Sequence, residues 1–164
     1  MTLFGMRKFL DSLTSKAKKL PKKTIEYIEN NVLQAQRAEI FEGLGQVQGA
    51  SAVYPDGTNP ALVGRQWQPF SNNTFKINPK RKGGRLLQDT GHMRNTVKAV
   101  RMPDGSLKWG SEYWLAKIHH YGANIKVFGK HPAKIPSRPF VFLTEKYVNR
   151  TVKYIEFQVE KMQK

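Results

Sequence analysis

Glycine and proline divide this chain into two helical ends and a middle that no long helix can cross. Gly43, Gly45 and Gly49 come in quick succession, followed by Pro55-Asp56-Gly57 and Asn59-Pro60. Further along, Pro103-Asp104-Gly105-Ser106, Gly122, Pro136 and Pro139 keep interrupting the chain. Proline fixes φ and lacks a backbone donor, and glycine favours turns and helix stops. Regular elements between these points must therefore be short.

The ends behave differently. Phe9, Leu10, Leu13, Ala17 and Leu20 recur at helical spacing, with Lys16, Lys18 and Lys19 near the C-terminal end, so residues 6–20 read as an amphipathic helix stopped by Pro21. A second, longer helix starts near Thr24, a plausible N-cap, and runs to about residue 43 on Ile25, Ile28, Val32, Ala35 and Ile40. Its apolar stripe suits an arm packed on another subunit as well as it suits packing on its own domain. At the other end, Thr144 is the natural N-cap of a last helix whose stripe is Val148, Val152, Ile155, Val159 and Met162.

Between the ends, residues 44–64 look irregular. The basic, glycine-containing run 75–85 reads as a mobile loop. A short helix is predicted over 91–96, then a strand to Met102, a hairpin turn at 103–106 and a returning strand over 107–110. Tyr113 to His120 reads as a helix ended by Gly122, and Ile125 to Phe128 as a third strand followed by a basic loop through His131-Pro132. The predicted class is α+β: a long N-terminal helix, a small antiparallel β-sheet with a short helix, and a C-terminal helix packed on the sheet. Residues 1–49 form an N-terminal helical arm in this reading, and 50–164 one domain carrying the basic loop at 76–85.

Charge narrows the function classes. The chain has 28 Lys and Arg against 12 Asp and Glu, net +16, distributed as +3 over 1–49, +6 over 50–112 and +7 over 113–164. Between Lys76 and Arg101 there are eight bases and one acid. Such a field attracts polyanions or an acidic protein face. No apolar run approaches the ~18 residues of a membrane span. The N-terminus lacks the apolar core and small-residue site of a secretory signal. With no cysteine, disulfide and thiolate chemistry are excluded, which fits assembly in a reducing cytoplasm.

Catalytic and cofactor sets are missing too. His119 and His120 are adjacent and point apart on a helix, His92 and His131 stand alone, and no carboxylate triad accompanies them, so no metal site is expected. Asp89 and Glu112 have no carboxylate partner for acid–base work. Ser71 and Ser111 lack a nucleophile-elbow context. Lys82-Gly83-Gly84-Arg85 lacks the spacing of a phosphate loop. Trp67, Phe70, Phe75 and Trp109 alternate with bases and would suit stacking on single strands, but large aromatics more often form core.

Four stretches carry a pattern. They are Gly64-Arg65-Gln66-Trp67-Gln68-Pro69-Phe70-Ser71 with Thr74 and Lys76; Arg85-Leu86-Leu87-Gln88-Asp89-Thr90-Gly91-His92-Met93-Arg94; Tyr113-Trp114-Leu115-Ala116-Lys117-Ile118-His119-His120-Tyr121-Gly122; and Ile135-Pro136-Ser137-Arg138-Pro139-Phe140. In that order they resemble the phage virion-morphogenesis, or tail-completion, family typified by Mu-like phages. The third element departs from the family's usual form by placing Leu115 before Ala116. The resemblance implies structural rather than catalytic roles for Trp67, Pro69, Thr90, Gly91, His119, Gly122, Arg138, Pro139 and Phe140. Trp67 with Pro69 would form a buried corner, and Thr90 or Asp89 would cap the helix at Gly91. Gly122 would tolerate positive φ, and Arg138, held extended between prolines, would pin a carboxylate within or between subunits.

The resemblance also implies a virion protein of the neck or tail end, assembled in the host cytoplasm as a ring of about six or twelve copies. Its neighbours would be neck, connector or tail-tube proteins, with no cofactor and no membrane. One ring face would be the 24–43 helix and the other the sheet with the 125–140 loop. Lys76, Lys80, Arg81, Lys82 and Arg85 are the candidate contacts to the DNA channel, where binding would be non-specific, or to an acidic partner ring. The alternative is a free, basic nucleic-acid-binding protein.

Overall fold

A computed structural model describes residues 22–48, 52–103, 107–127, 129 and 131–162. The helix expected over 6–20 lies outside them. The described part begins with α1 (Lys22–Tyr27), passes without a break through a π-helical turn (Ile28–Leu33) and continues as α2 (Gln34–Glu42). Ile28, Val32, Gln36 and Ile40 recur every four residues and all are buried. Such a repeat drifts around an α-helix of 3.6 residues per turn. The i→i+5 bonds of the π turn take in more residues per turn and hold the stripe on one side. Gly45, with φ +89°, ends this run against the Trp67 indole, into which any Cβ there would collide.

The middle is a series of short pieces: β1 (Ala52–Val53), α3 (Asn72–Ile77), α4 (His92–Thr96), β2 (Lys98–Arg101), β3 (Leu107–Gly110), α5 (Trp114–Tyr121), β4 (Ala123–Val127), β5 (His131–Ile135) and β6 (Leu143–Thr144). The chain closes with α6 (Glu145–Met162). The α+β class holds, but the single small sheet expected from the sequence is three separate two-stranded antiparallel ladders, β1–β6, β2–β3 and β4–β5. Two of them are hairpins, in registers Arg101↔Leu107 and Val127↔His131 next to their turns. Two further expectations change. His131 and Pro132, expected to end a basic loop, instead open strand β5, which is paired along its length with β4. Within the run read as a mobile loop, residues up to Ile77 belong to α3 and Pro79–Arg81 form a 3-10 turn.

Two apolar clusters hold these pieces together. The first gathers Ile40, Phe41, Val47, Trp67, Leu86, Met93, Val97, Ala116, Phe140 and Phe142. The second gathers Ile28, Val32, Leu33, Ala99, Tyr147 and Ile155. The N-terminal helical run feeds both, so its apolar stripe is used inside its own chain. Each fully buried Phe or Ile contributes on the order of 1.5–3 kcal/mol.

The packing of α6 explains a shift in its buried face. It lies along the N-terminal helical run and shares an apolar cluster with Ala99 of β2: Tyr154 stacks on Tyr27 of α1 with ring centroids 3.9 Å apart, and the Tyr147 hydroxyl donates to Glu39 of α2 at 2.7 Å. Tyr147 and Ile155 are therefore its buried residues. The expected stripe of Val148, Val152 and Val159 is only half-buried, and Met162 is exposed. Thr144 stands just before α6, but its hydroxyl donates to the buried Gln36 (3.3 Å) instead of capping the helix.

Candidate functional site

The four motif stretches converge on one knot around Phe140, which is fully buried and packs against the rings of Phe41 and His120. Trp67 reaches it from the 64–71 corner, and its Nε1 donates to the Pro139 carbonyl at 2.8 Å. Trp67 is buried as a core aromatic; Pro69 beside it is exposed, so only half of the expected corner is interior. From the second stretch, Leu86 and Met93 enter the same cluster, and the Gln88 amide donates to the Phe41 carbonyl at 2.7 Å. Gly91 takes φ +72° at the start of α4, and the Thr90 hydroxyl accepts from the His92 amide. Thr90, not Asp89, serves that helix end. Asp89 is instead paired with Arg81 at 2.7 Å.

His120 joins three segments. Its Nδ1 accepts from the amides of Phe140 and Val141, both at 3.3 Å. The ring proton must then sit on Nε2, which donates to the Thr58 hydroxyl at 2.9 Å. Burial pushes its pKa down to about 4, so the imidazole is neutral. The two histidines, pointing apart on the helix, are thus a buried tie and a half-buried neighbour. After α5 the chain turns at Gly122 (φ +79°), where a Cβ would lie 2.9 Å from the Ile135 carbonyl oxygen and the Ser137 amide nitrogen. Only glycine fits both constraints. The close approach lets the Arg138 amide and the Ser137 hydroxyl donate to the carbonyls of His119 (2.8 Å) and His120 (2.7 Å) at the end of α5.

Arg138 departs from its expected role within the chain. Its Nε donates to the Gln68 carbonyl at 3.0 Å and its Nη2 to the Pro69 carbonyl at 3.3 Å, and among the described residues no carboxylate lies within salt-bridge distance. Arg138 is only 5% exposed as a residue. Next to it, the Nδ1 of His119 is buried without a partner, and burial together with the charges of Arg138 and Arg81 lowers the His119 pKa. These groups face a cleft of about 1000 Å3 between α5, the base of the β4–β5 hairpin and the 68–74 corner.

The five basic candidates do not act alike. Arg81 turns into this cleft and onto Asp89; Lys76, Lys80, Lys82 and Arg85 remain exposed, with no acidic partner among the described residues. Sequence reasoning missed Gln36, Thr58 and Lys134. Gln36 had a usable signal in its place on the four-residue stripe. Thr58 had none, because its partner His120 lies far away in sequence, and Lys134 had none, because its place at the cleft rim is set by the fold. Among the described residues no group of three or more His, Cys, Asp or Glu is placed to hold a metal, and no helix is long and apolar enough to cross a membrane.

The family model described as the phage virion morphogenesis family matches residues 22–160. No curated protein and no solved structure matches the chain.

Proposed function

We propose, from the premise that this chain belongs to the phage virion morphogenesis family, that it is a structural subunit of the phage neck or tail terminus. In this reading it forms a closed ring and is required for tail completion and head–tail joining. Membership places the chain in the building of the phage particle. The observation that carries the structural reading is the knot itself. All four motif stretches engage one another through the core and through backbone hydrogen bonds, so the motifs serve the fold, and no nucleophile, base and orienting group meet among them.

A closed heterologous ring needs two different faces on each subunit. The stripe of the 24–43 helix is occupied within the chain and does not supply one. Exposed apolar residues supply better candidates in separate places. Trp114 at the start of α5 is 68% exposed, and Phe157 near the end of α6 is 50% exposed. Large aromatics left in water commonly mark contact surfaces. Lys76, Lys80, Lys82 and Arg85 would face packaged DNA or an acidic neighbouring ring, holding phosphates without reading sequence.

Those exposed cations, together with the net charge of +16, also favour a second reading, a free nucleic-acid-binding protein. Native mass measurement and negative-stain images of the purified protein, with and without tails of its phage, separate the two. Rings, or added density at the head-proximal end of tails, are expected. A monomer that ignores tails and binds DNA tightly at moderate salt would move the conclusion to the second reading.

A further inference from the structure

We propose that the cleft between α5 and the base of the β4–β5 hairpin receives an extended acidic segment of a neighbouring protein, with Arg138 at its floor and Lys134 at its rim. Among the described residues no Asp or Glu lines this cleft of about 1000 Å3. Its floor holds a charge that the described residues leave uncompensated. Arg138 is 5% exposed, two of its guanidinium nitrogens are satisfied only by neutral carbonyls, and Nη1 makes no hydrogen bond to a described residue. The adjacent His119 Nδ1 is buried and unpartnered. A buried cation facing carbonyl dipoles alone is poorly compensated, and an unpaired buried donor or acceptor carries its full desolvation cost. A carboxylate entering the cleft would relieve the first of these and allow the second to be met.

The shape and lining favour a polypeptide over nucleic acid. Leu62, Phe70 and Ile135 line the cleft beside the cations, which suits a segment alternating acidic and apolar side chains. A duplex spreads its phosphates over a broad cylinder and would reach Arg81 and the exposed Lys134 but not a guanidinium at this depth. Stacking of single-stranded bases needs free aromatic faces. Phe70 is engaged edge-on with Phe75, and Tyr121 with His120. Arg81 is already neutralised by Asp89, so Arg138 and Lys134 are the charges available. That the segment belongs to a neighbouring virion subunit rests on the structural reading above; the preference for carboxylates does not.

The test titrates the full-length protein with a fluorescent peptide of alternating glutamate and leucine, and with its glutamine–leucine counterpart. The glutamate peptide should bind about tenfold or more tightly, the gain of charge-assisted over neutral hydrogen bonds. Lys134→Glu should erase that preference. Lys82→Glu, an equal charge change outside the cleft, should leave it within about twofold. Arg138→Gln should erase it as well; should that variant fail to fold, Asn124→Glu, at an exposed position lining the same cleft, takes its place and should likewise erase the preference. Equal binding of the two peptides, or equal losses from Lys82→Glu and Lys134→Glu, overturns the proposal. So does duplex DNA that displaces the peptide and itself loses binding in Lys134→Glu. Glutamate preference in a protein that forms no ring would leave the cleft standing and sink the ring; a ring that binds the two peptides alike would do the reverse.

Discussion

His119 and His120 are neighbours on the same short helix and end in opposite situations. His120 is enclosed, and both ring nitrogens have partners, two backbone amides on one side and the Thr58 hydroxyl on the other. His119 is half-buried beside Arg138 and has a buried Nδ1 with nothing bonded to it. The difference extends to their surroundings. On the His120 side, Trp67, Pro139 and Phe140 close an apolar knot in which both His120 nitrogens and the Trp67 indole are hydrogen-bonded. On the His119 side, cations accumulate around open space. Satisfied polar groups hold a fold together, while a buried cation and a ring nitrogen left without protein partners beside an open cleft are where an incoming polar group has most to gain. The two sides should therefore respond differently to substitution.

The largest effect is expected in the knot. Phe140→Ala removes a fully buried ring from the point where the four motif stretches meet, and should cost about 3–5 kcal/mol. Urea unfolding of the variant measures it. A loss below about 1 kcal/mol would mean the knot collapses readily and is not what unites the motifs.

Next comes acid. The His120 pKa is lowered from its ordinary 6.5 to about 4, so the folded state binds fewer protons than the unfolded one. Its contribution is fully present above pH 6.5, falls as pH drops below that value, and is lost once pH passes below about 4. The shift corresponds to about 3 kcal/mol. His119, also lowered, adds a loss of the same sign. Glu39, held below its usual 4.5 by bonds from Tyr147 and Lys146 despite its partial burial, acts lower in the range. Unfolding free energies at pH 7 and pH 5 should therefore differ, and His120→Gln should flatten that difference while lowering stability at pH 7. A His120→Gln profile as steep as that of the wild type would assign the acid sensitivity elsewhere.

Arg138 sharpens the comparison at an intermediate scale. If its charge is uncompensated, Arg138→Met removes the desolvation cost along with two hydrogen bonds to the carbonyls of Gln68 and Pro69, both exposed residues. The net loss should be about 1–2 kcal/mol, well short of the roughly 3–5 kcal/mol that follows when a compensated buried ion pair is broken. Chemical denaturation decides. A loss in the larger range would show that the fold itself satisfies Arg138 and would remove the contrast with His120.

Legibility in the sequence followed the range of the interactions. The β2–β3 hairpin, α4, α5 and the stop at Gly122 depend on turn chemistry and periodicity within a few residues, and were readable. The β5 strand was hidden by Pro132, which reads as a loop signal yet sits on a strand with one free edge. The tilt of the α6 face toward Tyr147 and Tyr154 depends on Tyr27 and Glu39, more than a hundred residues away. For the site, Trp67, Gly122 and Phe140 were legible as structure because bulk and φ leave few choices. Arg138 was legible as important but not as unpaired, since lacking a carboxylate partner is a property of the whole fold. Lys134 gave no local signal at all.

The smallest effect on folding is expected from Lys134→Glu, and that is where the comparison is most exposed. Lys134 is exposed on β5 and makes no ion pair among the described residues, so its reversal removes no native contact. It also lowers the net charge from +16 by two, which eases self-repulsion. The urea midpoint should stay where it is or rise slightly, and more visibly at low salt, where charges act over longer distances. Assembly should respond in the other direction, because the cleft would then present a carboxylate to an acidic partner and like charges in an interface repel. A variant with an unchanged midpoint that no longer joins tails would show that one side of α5 serves the fold and the other a neighbour. A variant that unfolds early would mean that Lys134 supports the fold, and the division drawn between His119 and His120 would not hold.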